Sequence, residues 1–146
     1  MRVLEMLKTD EGVFEFVKQH LINQGQKSLQ HIETEDDHLT KHNSCRYRGI
    51  QNLKCAIGCL IEDDFYDPDM EQRDIGSDFV KIIVRQSLPN WKPNWDMLQD
   101  LQELHDECDP EEWENKLEKL EEQTFHREKL LKKDDEEIRK LLNYEN

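Results

Sequence analysis

Cys55 and Cys59 stand four residues apart, with Cys45 upstream and Cys108 further along the chain. On a helix that interval makes Cys55 and Cys59 near neighbours on one face. Together with Cys45 and a histidine such as His42 or His105, they are the residue types of a tetrahedral zinc site. The spacing lacks the tight C-x-x-C knuckle, however, and the small apolar neighbours suit buried thiols that act as minor hydrophobes. The sequence therefore assigns no metal and no cofactor. Lys54 is the one obvious adjacent cation that would lower a thiol pKa, which leaves a catalytic thiolate little support.

Three further groups carry chemistry by type and spacing. Asp63, Asp64, Asp67, Asp69 and Glu71 form an acidic run in which D-x-D-x-E begins like a calcium loop. Gln72 stands where the sharp-turn glycine belongs, Asp78 where a bidentate glutamate belongs, and Pro68 stiffens the second position. A solvated loop that caps neighbouring helices is the better reading. His105-Asp106 has the residue types of a base and its orienter. Adjacent side chains on a helix diverge by about 100°, and His105 falls on an apolar stripe, so the expectation is a packed core histidine and no assigned catalytic residue. Tyr47-Arg48-Gly49 places an arginine beside an aromatic just before a turn. It suits a carboxylate or phosphate ligand, and it suits equally an internal pair with the acidic loop, which is preferred. No G-x-S-x-G elbow, Walker loop, dinucleotide fingerprint or H-E-x-x-H is present.

The elements that must position these groups read as mainly α, a compact small helical domain with a long, charged C-terminal helix. Residues 10–23 carry Val13, Phe16, Val17, His20 and Leu21 at helical spacing, acids at the start and Gly25 as a stop. Residues 26–43 are polar and read as a connection. Over 53–61, Leu53, Ala56, Ile57 and Leu60 fit one helical face, although so short an apolar run also fits a buried strand. Ala56 and Gly58 would let another element approach closely. Residues 78–88 predict a helix with Phe79, Ile82, Ile83 and Gln86 on one side. Asn94 is placed to cap the next helix, whose stripe is Met97, Leu98, Leu101, Leu104, His105 and Cys108. Asp109-Pro110 opens a further helix, with Glu112 three residues beyond the expected cap. Its face of Trp113, Leu117 and Leu120 continues toward Leu131, Ile138 and Leu141 as an imperfect heptad interrupted by Thr124, Arg127 and Asp134. The pairs Asp135–Arg139 and Glu136–Lys140 favour helix at the end. The chain divides into a globular part, 1–122, and a charged helical extension, 123–146.

Composition narrows the function classes. The chain has 146 residues, with 20 Lys+Arg against 34 Asp+Glu and a net charge of −14. Residues 62–78 carry 8 acids and 1 base, and 95–122 carry 12 acids and 2 bases, while the terminal arm has 6 of each sign. Such a balance argues against direct nucleic-acid binding, which needs cations to displace counterions. No apolar run approaches the roughly 20 residues that span a bilayer, and the N-terminal stretch meets acid too early for a secretory h-region. Cytoplasmic action with reduced thiols follows as the expectation.

The block Cys45-x-Tyr-Arg-Gly-x-x-x-x-Lys-Cys-Ala-Ile-Gly-Cys-Leu-Ile-x-Asp63-x-x-Tyr66-x-Pro68-x-Met-Glu71, followed by Leu98-Gln-Asp-Leu-Gln-x-Leu-His-Asp106 and Trp113, resembles a family of small uncharacterised proteins. They are common in tailed phages and in bacteria as prophage-like genes, and the likeness covers roughly residues 10 to 120. Two positions depart from the pattern: Glu62 where the family has proline, and Gln72 where it has glycine. The resemblance carries no activity to transfer. It implies a phage-type context, with action in the host cytoplasm.

Together these readings favour a binding protein over an enzyme. The expected partner is a host protein with a basic surface, such as a defence or nucleic-acid-processing factor, engaged and inhibited by charge mimicry. The residues expected to meet it are Tyr47, Arg48, Asp63, Asp64, Tyr66, Asp67, Asp69 and Glu71 of the middle block, with Glu103, Glu107, Glu111 and Glu114 downstream. Two alternatives stay open. One is a small-molecule-binding protein or hydrolase whose Tyr47, Arg48, Asp63, Tyr66 and His105 converge on one pocket. The other is a homo-oligomer assembled through the C-terminal helix.

Overall fold

The computed structural model describes residues 3–30 and 45–131, with side chains over 5–30 and 45–125. Its helices are α1 (Val3–Met6), α2 (Asp10–Gln24), α3 (Asp78–Ser87), α4 (Trp95–Glu107) and α5 (Trp113–Leu131). Among the described residues there is no named strand, and the architecture is mainly helical, as expected. His42 and the interrupted heptad beyond Leu131 lie outside the described residues, as do the ion pairs expected at 135–140. None of the described helices is long and apolar enough to cross a membrane.

Helix α2 begins where Thr9 accepts a hydrogen bond from the Gly12 N–H at 3.0 Å. It ends at Gly25, whose φ of +64° closes the last turn by donating to the Leu21 carbonyl. Val13, Phe14, Val17 and Leu21 are buried on its inner face, which packs on α4 and α5. Phe14 meets Phe125 edge-on, with ring centroids 5.5 Å apart. Lys18 pairs with Glu121 at 3.3 Å. The C-terminal helix therefore passes residue 122 without a break, and its next turn still contributes to the core.

Helix α4 follows its sequence pattern closely. Asn94 Oδ1 accepts from the Met97 N–H at 3.1 Å, and Met97, Leu98, Leu101, Leu104 and His105 are buried. The cap residue also reaches across the fold. Asn94 Nδ2 donates to Asp10 at 3.0 Å, and the Trp91 indole donates to the same carboxylate at 2.8 Å. One acid at the start of α2 thus ties down the turn that launches α4.

Three local expectations are corrected. Residues 53–61 form neither a helix nor a strand but an irregular segment ending in the 3-10 turn Gly58–Leu60. In α3 the buried face is Val80, Ile83, Val84 and Ser87, whereas Ile82 is 55% exposed. The apolar face is turned from the one read in the sequence because Ser87 goes inside to receive the Glu62 N–H at 3.1 Å. At the start of α5, Asp109 makes no side-chain cap; the 3-10 turn Pro110–Glu112 leads into the helix through the Glu112 N–H on the Asp109 carbonyl.

The irregular middle segment keeps its backbone groups satisfied by borrowing side chains from distant elements, as burial requires. Gln24 reproduces a strand-like pairing with Lys54, accepting from its N–H at 3.0 Å and donating to its carbonyl at 2.9 Å. His20 also meets the Lys54 carbonyl, at 2.9 Å. Ser28 donates to the Leu53 carbonyl and Gln102 accepts from the Ile57 N–H. A tight turn with Gln51 and Asn52 at φ of +56° and +62° folds the bridge between Arg48 and Lys54. Gly58 is required where it stands, since a Cβ there would fall 1.9 Å from the Tyr47 carbonyl oxygen. The close approach anticipated from small residues is thus present, without the helix that was to provide it.

Candidate functional site

The Tyr47-Arg48 motif and the acidic loop are joined through Glu71, whose side chain is 6% exposed. Its carboxylate accepts from the Tyr47 N–H at 2.9 Å, the Arg48 N–H at 3.0 Å and the Tyr66 hydroxyl at 2.7 Å. Arg46 lies alongside, with Nε at 3.7 Å. Burial first, and then the hydroxyl's bond to Glu71, pushes Tyr66 up to about 12. Arg48 stacks over the Tyr66 ring at 4.3 Å, donates to the Ile61 carbonyl at 3.1 Å and pairs with Asp63 at 2.7 Å. The internal pairing preferred from the sequence is therefore formed. Tyr47 is buried, and its hydroxyl donates to the Arg73 carbonyl. Desolvation raises its pKa further above the ordinary tyrosine range.

These residues pair off instead of converging with His105 on a shared cavity. His105 is fully buried and stacked on Trp113 at 5.4 Å. Its Nε2 receives the Ser28 N–H at 3.1 Å, so Nδ1 holds the proton and donates to Asp106 at 2.7 Å. With the Nε2 lone pair occupied, the ring has no position from which to accept a substrate proton. The contact with Asp106 corrects the expectation that adjacent side chains diverge. In the last turn of α4 the short Asp106 side chain folds back to Nδ1, and Gln102 holds it there by donating to the same oxygen at 2.9 Å.

The thiols divide into two kinds, and none of the four cysteines is in a disulfide. Cys55 Sγ accepts from the Gly58 N–H at 3.3 Å and Cys59 Sγ donates to the Ala56 carbonyl at 3.1 Å. Burial drives both pKa values well above the ordinary thiol value, which keeps them protonated. Cys45 has different company. Its Sγ lies with a His105 nitrogen and an Asp106 oxygen in a group whose atoms are all within 4.8 Å of one another. Cys45 and Asp106 also line a cleft of about 220 Å³, with Tyr47, Arg73, Gln102 and Glu103 among its walls. Among the described residues no three of the acids in the 63–71 run come together this way, so the calcium-like spacing assembles no cation cage. Asp67 instead caps the 3-10 turn Pro68–Met70 by accepting from the Asp69 N–H at 2.9 Å, and Asp64 and Asp69 stay exposed.

Downstream, the acids line an exposed face. Asp96, Asp100, Glu103 and Glu107 follow one another on α4 at intervals of four, three and four residues, which places them on one side of the helix. All four are exposed and none forms an ion pair among the described residues. Burial, then the charges of Glu103 and Asp96, raise the pKa of Asp100. Asp100, Glu103 and Glu107 border a groove of about 370 Å³ between α4 and α5, whose α5 side carries Lys116, Lys119 and Leu120. Glu111 and Glu114 are exposed where α5 begins. Sequence reasoning reaches Glu103 and Glu107 but misses Asp96 and Asp100, which the periodicity of α4 would have added. It also misses the inward turn of Glu71, whose two backbone donors, Arg48 and Tyr47, are 23 and 24 residues away and leave no local signal.

No protein-family model, curated protein sequence or solved structure matches this chain.

Proposed function

We propose that this chain is a binding protein whose acidic α4 face engages a basic surface on a protein partner. The observation that carries the reading is the row Asp96, Asp100, Glu103 and Glu107, exposed and without an ion pair among the described residues. Like charges three and four residues apart on a helix repel by a few tenths of a kcal/mol each, about 0.2–0.5. A cationic partner relieves that repulsion and is steered to the site by the net charge of −14. The finer form of the proposal is a phage-type protein that occupies the nucleic-acid groove of a host defence or processing factor, acting in the host cytoplasm. Its support is the resemblance of the middle block and the spacing of carboxylates along one helix, in place of phosphates.

The test is copurification of the tagged chain from its host, with nuclease added, against a variant carrying Asp100→Lys and Glu103→Lys. The expected result is a basic protein retained by the native chain, released as salt rises from about 50 to 300 mM and lost with the variant. Equal recovery by both chains, or release that ignores salt, overturns the reading.

A further inference from the structure

We propose that Cys45, His105 and Asp106 form a binding site for a divalent transition metal of the zinc class, open to the cleft that Cys45 and Asp106 line. The sequence alone assigns no metal, and of the candidates it offers, Cys55 and Cys59 bond elsewhere and stay protonated. The fold keeps Cys45 and His105 from that set and adds Asp106, with Sγ, imidazole nitrogen and carboxylate oxygen all within 4.8 Å of one another. One sulfur, one nitrogen and one oxygen donor suit zinc or cobalt(II), whereas calcium and magnesium take oxygen shells.

Both halves of the site are held by the fold. Cys45 is fixed by its bridge to Leu29 and by the Arg46 N–H on the Ser28 carbonyl at 2.8 Å. His105 is clamped by its stack on Trp113, and Asp106 by the Gln102 amide. Such outer partners orient first ligands and are part of a metal site's affinity. The cleft of about 220 Å³ gives the ion a path and leaves room for water to complete four-coordination.

Loading has a defined proton balance. The Cys45 thiol releases its proton to solvent, and the metal takes the Nδ1 lone pair that now holds a proton shared with Asp106. That proton moves to Nε2, where it faces the Ser28 N–H and ends the bond between them. Loading thus exchanges two hydrogen bonds, Ser28 to His105 and His105 to Asp106, for the bonds of thiolate, imidazole and carboxylate to the metal. Metal binding is therefore coupled to the segment around Ser28.

The experiment titrates cobalt(II) into the metal-free full chain under reducing conditions, then displaces it with zinc. The expected outcome is a near-ultraviolet thiolate-to-cobalt band that saturates at one equivalent and vanishes on zinc addition. Cys45→Ser removes the band while Cys108→Ser retains it, with both variants giving the native far-ultraviolet dichroism. Zinc also shifts the Ser28 amide resonance. No band in the native chain, a band that persists in Cys45→Ser, or a Ser28 amide unmoved by saturating zinc overturns the proposal.

Discussion

Gln72 holds a φ of +67°, the left-handed region that favours glycine. A side chain there costs about 1–2 kcal/mol, partly offset because glycine loses more freedom on folding, by roughly 0.5–1 kcal/mol. Gln72→Gly is expected to raise stability by about 0.5–1 kcal/mol, read as a higher urea midpoint at unchanged slope. Glu62 has a different backbone role: its N–H donates to the buried Ser87 hydroxyl at 3.1 Å. His20 supplies a pH signature. Burial depresses its pKa below the ordinary histidine value of 6.5, against the smaller opposing pull of its bond to the Lys54 carbonyl. Between that depressed value and 6.5 the unfolded chain binds the proton more readily, so stability falls as pH drops through this window. Denaturation curves from about pH 7.5 to 5.5 are expected to show the decline, and His20→Gln to flatten it.

At the scale of elements, legibility tracks how local the governing interactions are. Helix α4 is readable because its apolar period, its Asn94 cap and its buried stripe all lie within or beside the helix. Residues 53–61 are misread because small apolar residues satisfy a helical period without choosing it. What decides their path is the set of side chains from α2 and α4 that bond their backbone. The site is legible to a similar degree. The Arg48–Asp63 pair can be anticipated from charge, whereas the meeting of Cys45 with Asp106 depends on packing across the whole chain. Gln24 tests this account directly. Gln24→Ala leaves the Lys54 N–H without its side-chain acceptor, and is expected to cost about 1–3 kcal/mol with helical dichroism preserved. A loss below about 0.5 kcal/mol, the size of an ordinary surface change, would show that water replaces the amide and that the segment is held by apolar packing alone.

At the scale of the whole molecule, the net charge of −14 resolves into a nearly balanced body with concentrated acidic faces. On α4 the concentration works against folding. Asp100 has its pKa raised by burial and by the charges of Glu103 and Asp96. The sign is opposite to that of a salt-bridged aspartate: the folded state disfavours the charged form, so lowering the pH toward the raised value relieves the native state. Replacing the charge should do the same at neutral pH. Asp100→Asn removes repulsions with Asp96 four residues before and Glu103 three residues after, and is expected to add roughly 0.4–1 kcal/mol at low ionic strength. Salt at about 1 M shrinks the Debye length to about 3 Å, so the native chain and the variant should converge in thermal midpoint as salt rises. A gain that persists in high salt would assign the effect to desolvation of Asp100 instead of to its neighbours. Where charge is the cause, the row sacrifices stability, the trade expected when a surface is kept for a partner. The same Asp100→Asn substitution should then weaken capture of the basic partner while strengthening the fold, two effects of opposite sign from the removal of one charge.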